Sequence, residues 1–112
     1  MSQKVSFHEL AELELNEAAF FFEMEREGLG SRFLSAVEAA TSQIQEHPEA
    51  SPIIIKDIRR KLLWTFPYSI VYSIKPDQIR ILAVANQRRR PIGEAERKNL
   101  MFLQLLGSLQ AA

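Results

Sequence analysis

Apolar residues recur through the first half of this chain at the spacing of amphipathic helices, and in the second half they alternate or run together as they do in strands. Val5-Ser6-Phe7 alternates and predicts a short first strand. A helix follows from His8 or Glu9 to about Glu27, with Ala11, Leu15, Ala18 and Phe22 on one face and Phe20 and Phe21 widening it. Its acidic early turns suit the positive end of the helix dipole. Gly28-Leu29-Gly30 predicts a break and Ser31 a cap for a second helix, whose buried stripe is Phe33, Val37, Ala40 and Ile44. That helix ends before His47-Pro48, because the residue preceding proline disfavours helical backbone. So short a turn predicts two antiparallel helices.

After Pro52 the period changes. Ile53-Ile54-Ile55 reads as a brief extended piece, Ile58 to Trp64 as a strand, and Phe66-Pro67 as a turn. Tyr68 to Ile74 and Ile79 to Ala85 are two further strands joined by the hairpin loop Lys75-Pro76-Asp77-Gln78. Glu94 to Leu109 predicts a terminal helix, apolar around most of its circumference through Leu100, Met101, Phe102, Leu103, Leu105, Leu106 and Leu109. Such a helix needs a surface to cover it, in this chain's own core or on a second chain. The expected fold is α+β, in the order β-α-α-β-β-β-α, with two antiparallel N-terminal helices packed on a small antiparallel sheet.

The length of 112 residues suits one domain spanning the chain, and a composition of 46% hydrophobic and 25% charged residues is that of a folded globular protein. There is no cysteine, which excludes a disulfide framework, thiolate zinc ligation and thiol catalysis, and suits a reducing cytoplasm. Residues 1–7 lack the apolar stretch of a signal peptide, and Leu100 to Leu109 is too short to span a bilayer. The zero net charge hides a polarity. Residues 1–55 carry Lys4, Arg26 and Arg32 against ten glutamates, whereas residues 56–98 carry eleven basic residues against Asp57, Asp77, Glu94 and Glu96. One surface is thus expected to meet something negative.

Arg59, Arg60, Arg88, Arg89 and Arg90 are the candidate contact residues, since clustered guanidinium groups favour bidentate pairing with carboxylate or phosphate. Strand alternation sends Arg59 and Arg60 to opposite faces, so one of them is structural, paired with a glutamate of the first helix. Tyr68 and Tyr72 share a face and pack there with their hydroxyls at its rim; Trp64 and Phe66 also share one and pack on the helices. His8 and His47 sit at helix ends in capping or surface roles, and no metal-ligand spacing or phosphate loop occurs. No cofactor is implied.

Several phrases together resemble the RelE/ParE superfamily of toxins from type II toxin-antitoxin systems. They are Val5-Ser6-Phe7 with Ala11, Glu14 and Leu15; Gly28-Leu29-Gly30 with Phe33; Ile58-Arg59-Arg60; Phe66-Pro67-Tyr68 with Tyr72; and Ile81-Leu82-Ala83-Val84 followed by Arg88-Arg89-Arg90-Pro91. The likeness covers about residues 5–98, leaving 99–112 as an apolar extension, and is closest to ParE-like members, often called plasmid-stabilisation proteins. It implies a cytoplasmic bacterial toxin that inhibits growth by binding an essential target, DNA gyrase, and is neutralised by a cognate antitoxin. The superfamily also contains ribosome-dependent messenger RNA endoribonucleases; on that alternative Arg60 and Arg88 would stabilise phosphate charge without a metal. A weakened homologue kept as a binding module is a third reading. Ser69 stands where the ribonucleases carry an arginine, Asn86 where ParE-like relatives often carry histidine, and Gly93-Glu94 where a late aromatic is expected. These departures favour docking over cleavage. The terminal apolar helix offers a homodimer contact.

Overall fold

The structure is a computed structural model that describes residues 3–87. Two helices, α1 (Glu9–Glu25) and α2 (Leu29–Glu46), follow strand β1 (Lys4–Phe7) and precede β2 (Ile53–Ile55), β3 (Ile58–Leu62), β4 (Tyr68–Ile74) and β5 (Gln78–Asn86). The five strands form one sheet in the order β1-β5-β4-β3-β2. The α+β class and the helical hairpin agree with expectation, and the expected terminal helix lies outside the described residues. The sheet departs from it in being mixed: β1 pairs parallel to β5 while the other neighbours are antiparallel. The chain between these parallel partners runs through both helices and the other three strands, far more than the dozen residues a parallel connection requires.

The hairpin turn works differently from its sequence signals. Gly28 takes φ 88° as the N-cap of α2 and no side chain of its own caps that end. The carboxylate of Glu23, reaching from α1, accepts the Gly28 N–H at 3.0 Å and the Gly30 N–H at 3.0 Å. Ser31 is therefore inside the helix and not its cap. Gly30 does not break the helix either. It lets α2 press on α1, since a Cβ there would lie 2.6 Å from the Ala19 carbonyl oxygen. At the other end of α1, His8 Nδ1 accepts the Leu10 N–H at 3.1 Å, the capping role its position predicts.

Between helices and sheet lies the main core. Phe33, Val37, Ala40 and Ile44 of α2 and Ala11 and Ala18 of α1 meet Tyr68, Ile70, Tyr72, Ile79, Ile81 and Val84, with Phe22 and Phe66 packed against them. Phe22, Phe33, Phe66 and Tyr68 form an aromatic cluster with ring centroids 5.0–5.8 Å apart. Each such ring contributes about 1.5–3 kcal/mol by burial alone. Tyr72 is fully buried and its hydroxyl donates to the Pro48 carbonyl at 2.6 Å, tying the end of α2 to the middle of β4. Both tyrosines thus pack on the helix side. Phe66 behaves as expected but Trp64 does not: it lies beyond the end of β3 and is 93% exposed.

A bulge in β5 reshapes the other face. Val71 pairs with Ala83 and Tyr72 with Ile81, leaving Leu82 as an extra residue. Ile81 and Val84 consequently both face the helices, while Leu82 and Ala83 both join Ile58 and Val71 in a second cluster on the helix-free face. Beyond β1, which ends opposite Ile81, the β5 edge passes to α1: the Glu14 carboxylate accepts the Val84 N–H at 3.0 Å.

Candidate functional site

Strand register sorts the charges between the two faces. Arg59 lies opposite the core residue Tyr72, and its guanidinium donates to the carbonyls of Glu49 at 3.1 Å and Ser51 at 2.7 Å. It holds the segment after α2 against the sheet and is the structural member of the Arg59–Arg60 pair. Its partners are backbone carbonyls, not a glutamate of α1. Arg60 lies opposite Val71, on the helix-free face; its side chain is exposed and makes no hydrogen bond or ion pair among the described residues.

A second arginine shares that face, and sequence reasoning missed it. Arg80 lies opposite Ser73 of β4 and Ser6 of β1. Its guanidinium donates to the Ser6 hydroxyl at 3.0 Å, and that hydroxyl donates in turn to the Gln78 side chain. This half-buried row holds Arg80 in place. The signal was available: counting in twos from Ile79 and Ile81, both apolar, puts Arg80 on the opposite face. Arg60 on β3 and Arg80 on β5 are separated by two strand spacings and offset by two residues along the strands, roughly 12 Å between their backbones. Between and around them lie Ser69, Val71, Ser73, Ala83 and Ala85.

Polar pairs along the edges steady this face. The Gln87 amide donates to the Ser69 hydroxyl at 2.7 Å, and the Ser73 hydroxyl donates to Asp57 at 2.8 Å. Lys75 approaches the same carboxylate at 3.8 Å, a partly exposed pair of small energetic weight. The tyrosines and histidines lie elsewhere. Tyr68 and Tyr72 are in the helix-side core, His8 caps α1, and His47 is the C-cap of α2. Among the described residues no cluster of three or more His, Cys, Asp or Glu could hold a metal ion, and no helix is long and apolar enough to cross a membrane. Arg88, Arg89 and Arg90 lie outside the described residues, as does the segment expected to form a homodimer contact.

A further surface was not foreseen. Leu13, Phe20, Phe21 and Met24 are 52–71% exposed along the outer side of α1, with Leu10 beside them. Phe20 and Phe21 therefore do not widen the buried face but help to form a second apolar stripe. α1 carries Glu9, Glu12, Glu14, Glu17, Glu23 and Glu25 and no basic residue, so this stripe is set in negative charge.

A helical hairpin on one side of a twisted sheet, with Arg60 and Arg80 on the other, defines a small α+β domain. Residues 5–91 match the family model described as the ParE toxin of the type II toxin-antitoxin system, parDE, and the chain belongs to that family. Among solved structures it is similar to a chain described as the chromosomal ParDE TA system from P. aeruginosa, with a TM-score of 0.58 at 16% identity. The match covers 76% of this chain and 96% of that one, and at such identity it shows a shared fold. No curated protein shows significant similarity to this sequence.

Proposed function

We propose that this protein is the toxin of a type II toxin-antitoxin pair, acting by occupancy of an essential target, DNA gyrase, and neutralised by a cognate antitoxin. Membership of the ParE family supports the toxin reading, and the target follows from that membership as an expectation. The observation that carries the binding mode is the division of the sheet. Arg60 and Arg80 stand on the helix-free face, while both tyrosines lie in the helix-side core and both histidines at helix ends. Guanidinium groups with no tyrosine or histidine beside them suit docking to carboxylates or phosphates better than the proton transfers of ribonucleolysis. Arg88, Arg89 and Arg90 extend the same basic segment in sequence.

The outer stripe of α1 is the antitoxin contact in this reading. Apolar side chains ringed by glutamates fit an amphipathic segment that brings its own leucines and lysines or arginines. Induced expression, followed by parallel assays of gyrase supercoiling and messenger RNA cleavage, tests the assignment. Growth arrest with blocked supercoiling, relieved in the Arg60→Ala/Arg80→Ala double variant, is the expected result. Ribosome-dependent cleavage with normal supercoiling would overturn it.

A further inference from the structure

The turn between β3 and β4 carries the most exposed large apolar side chain among the described residues. Trp64 is 93% exposed, although the turn around it is anchored: Leu63 is buried in the main core and Phe66 packs into the aromatic cluster. The backbone is pinned on both sides as well. The Leu63 N–H donates to the Tyr68 carbonyl at 2.9 Å, the Tyr68 N–H to the Phe66 carbonyl at 2.8 Å, and the Gln87 N–H to the Pro67 carbonyl at 2.7 Å. A turn fixed in this way presents its indole to water at a set position.

Trp64 does not stand alone. Leu62, 53% exposed, lies opposite Ser69, and Arg60 lies opposite Val71, so alternation along β3 puts both on the helix-free face. Arg60, Leu62 and Trp64 therefore follow one another at every second position toward the turn. Arg60 is exposed, and it has no ion pair or hydrogen bond among the described residues. The stretch from Ile58 to Phe66 carries Arg59, Arg60 and Lys61 and no acidic residue, so this apolar pair is set beside positive charge. Scattered single apolar residues on a surface need no explanation, but a tryptophan with a leucine and an unpaired arginine in line with it makes a patch.

We propose that Trp64, with Leu62 and Arg60 beside it, anchors the target contact by seating its indole in an apolar pocket bordered by carboxylates on a protein surface. This rests on the toxin function proposed above and names the side chain on which the affinity for the target most depends. Tryptophan and arginine are enriched among the few residues that dominate protein interfaces, and an anchor already fixed in place loses less freedom on docking. Leu62 separates a protein partner from a nucleic acid, since an aliphatic side chain gains by entering an apolar pocket and gains little beside phosphates. A symmetric contact with a second copy would set this basic patch against itself.

Trp64 is the one tryptophan of the chain, so 5-hydroxytryptophan incorporated there can be excited apart from the tryptophans of an added protein. Acrylamide should quench this label freely in the full-length toxin alone, severalfold less with purified DNA gyrase in excess, and no less with a mixed-sequence RNA. Protection by the RNA, protection on concentrating the toxin alone, or full quenching in a mixture where supercoiling is blocked would each overturn the anchor. Trp64→Ala should keep the wild-type urea midpoint and need roughly thirtyfold more protein to block supercoiling, with Trp64→Phe between the two. Equal potency, or a lowered midpoint that makes Trp64 a packing residue, would overturn it as well. Growth arrest separates the anchor from the choice of target. Arrest by the wild type with normal supercoiling, lost in Trp64→Ala at equal expression, would remove gyrase and keep the anchor. Arrest that survives in Trp64→Ala would overturn the anchor whatever the target, and no arrest by the wild type would overturn both.

Discussion

Arg59 and Arg60 are neighbours in sequence and opposites in the molecule. On the helix side of the sheet every strong group has an internal partner: Arg59 holds two carbonyls, Tyr72 a third, and the aromatic rings one another. On the helix-free side Arg60 has no described partner and Arg80 is held by one hydroxyl. One face spends its chemistry on the fold, and the other keeps guanidinium charge available over an apolar floor. A sheet can divide its labour in this way because alternation sends successive residues into different surroundings at no cost in chain length.

Substitutions on each face should break that contrast or sharpen it. Phe33→Ala, which removes the centre of the aromatic cluster, should cost about 3–5 kcal/mol in urea unfolding. A loss under 1 kcal/mol would mean that the helix-side core is not the main source of stability. Tyr72→Phe leaves the Pro48 carbonyl without its donor and should cost about 1–3 kcal/mol by the same measurement. Arg59→Ala releases the segment after α2 and should cost about 1 kcal/mol, because its carbonyl partners are only partly shielded from water. Arg60→Ala should shift stability by no more than about 0.5 kcal/mol yet weaken growth arrest. If Arg60→Ala were as destabilising as Arg59→Ala, the division between the faces would be false.

Much of this was legible in the residues. The α2 stripe of Phe33, Val37, Ala40 and Ile44 is buried as its spacing predicts, because a helix with one apolar face has one way to pack. α1 was harder, since apolar residues occur on two sides of it and spacing cannot say which side meets the sheet. Phe22 went inward, while Phe20 and Phe21 stayed out. The parallel pairing of β1 was equally hidden, for a four-residue strand shows alternation but not direction. Arg80 was readable by counting in twos, but the visible run of Arg88, Arg89 and Arg90 drew attention away from a single arginine inside an apolar strand.

Sequence by itself determined the α+β class, the order of the described elements apart from the status of β2, the family phrases and the opposite facing of Arg59 and Arg60. All of these follow from periods of 2 and 3.6 residues and from local breaks in them. Tertiary structure alone decided the place of β1 beside β5, the bulge that leaves Leu82 unpaired, the capping of α2 by Glu23 from another helix, and the company Arg80 keeps. Each of these depends on groups far apart in the chain or on a ladder that gains one residue, and no local period encodes either.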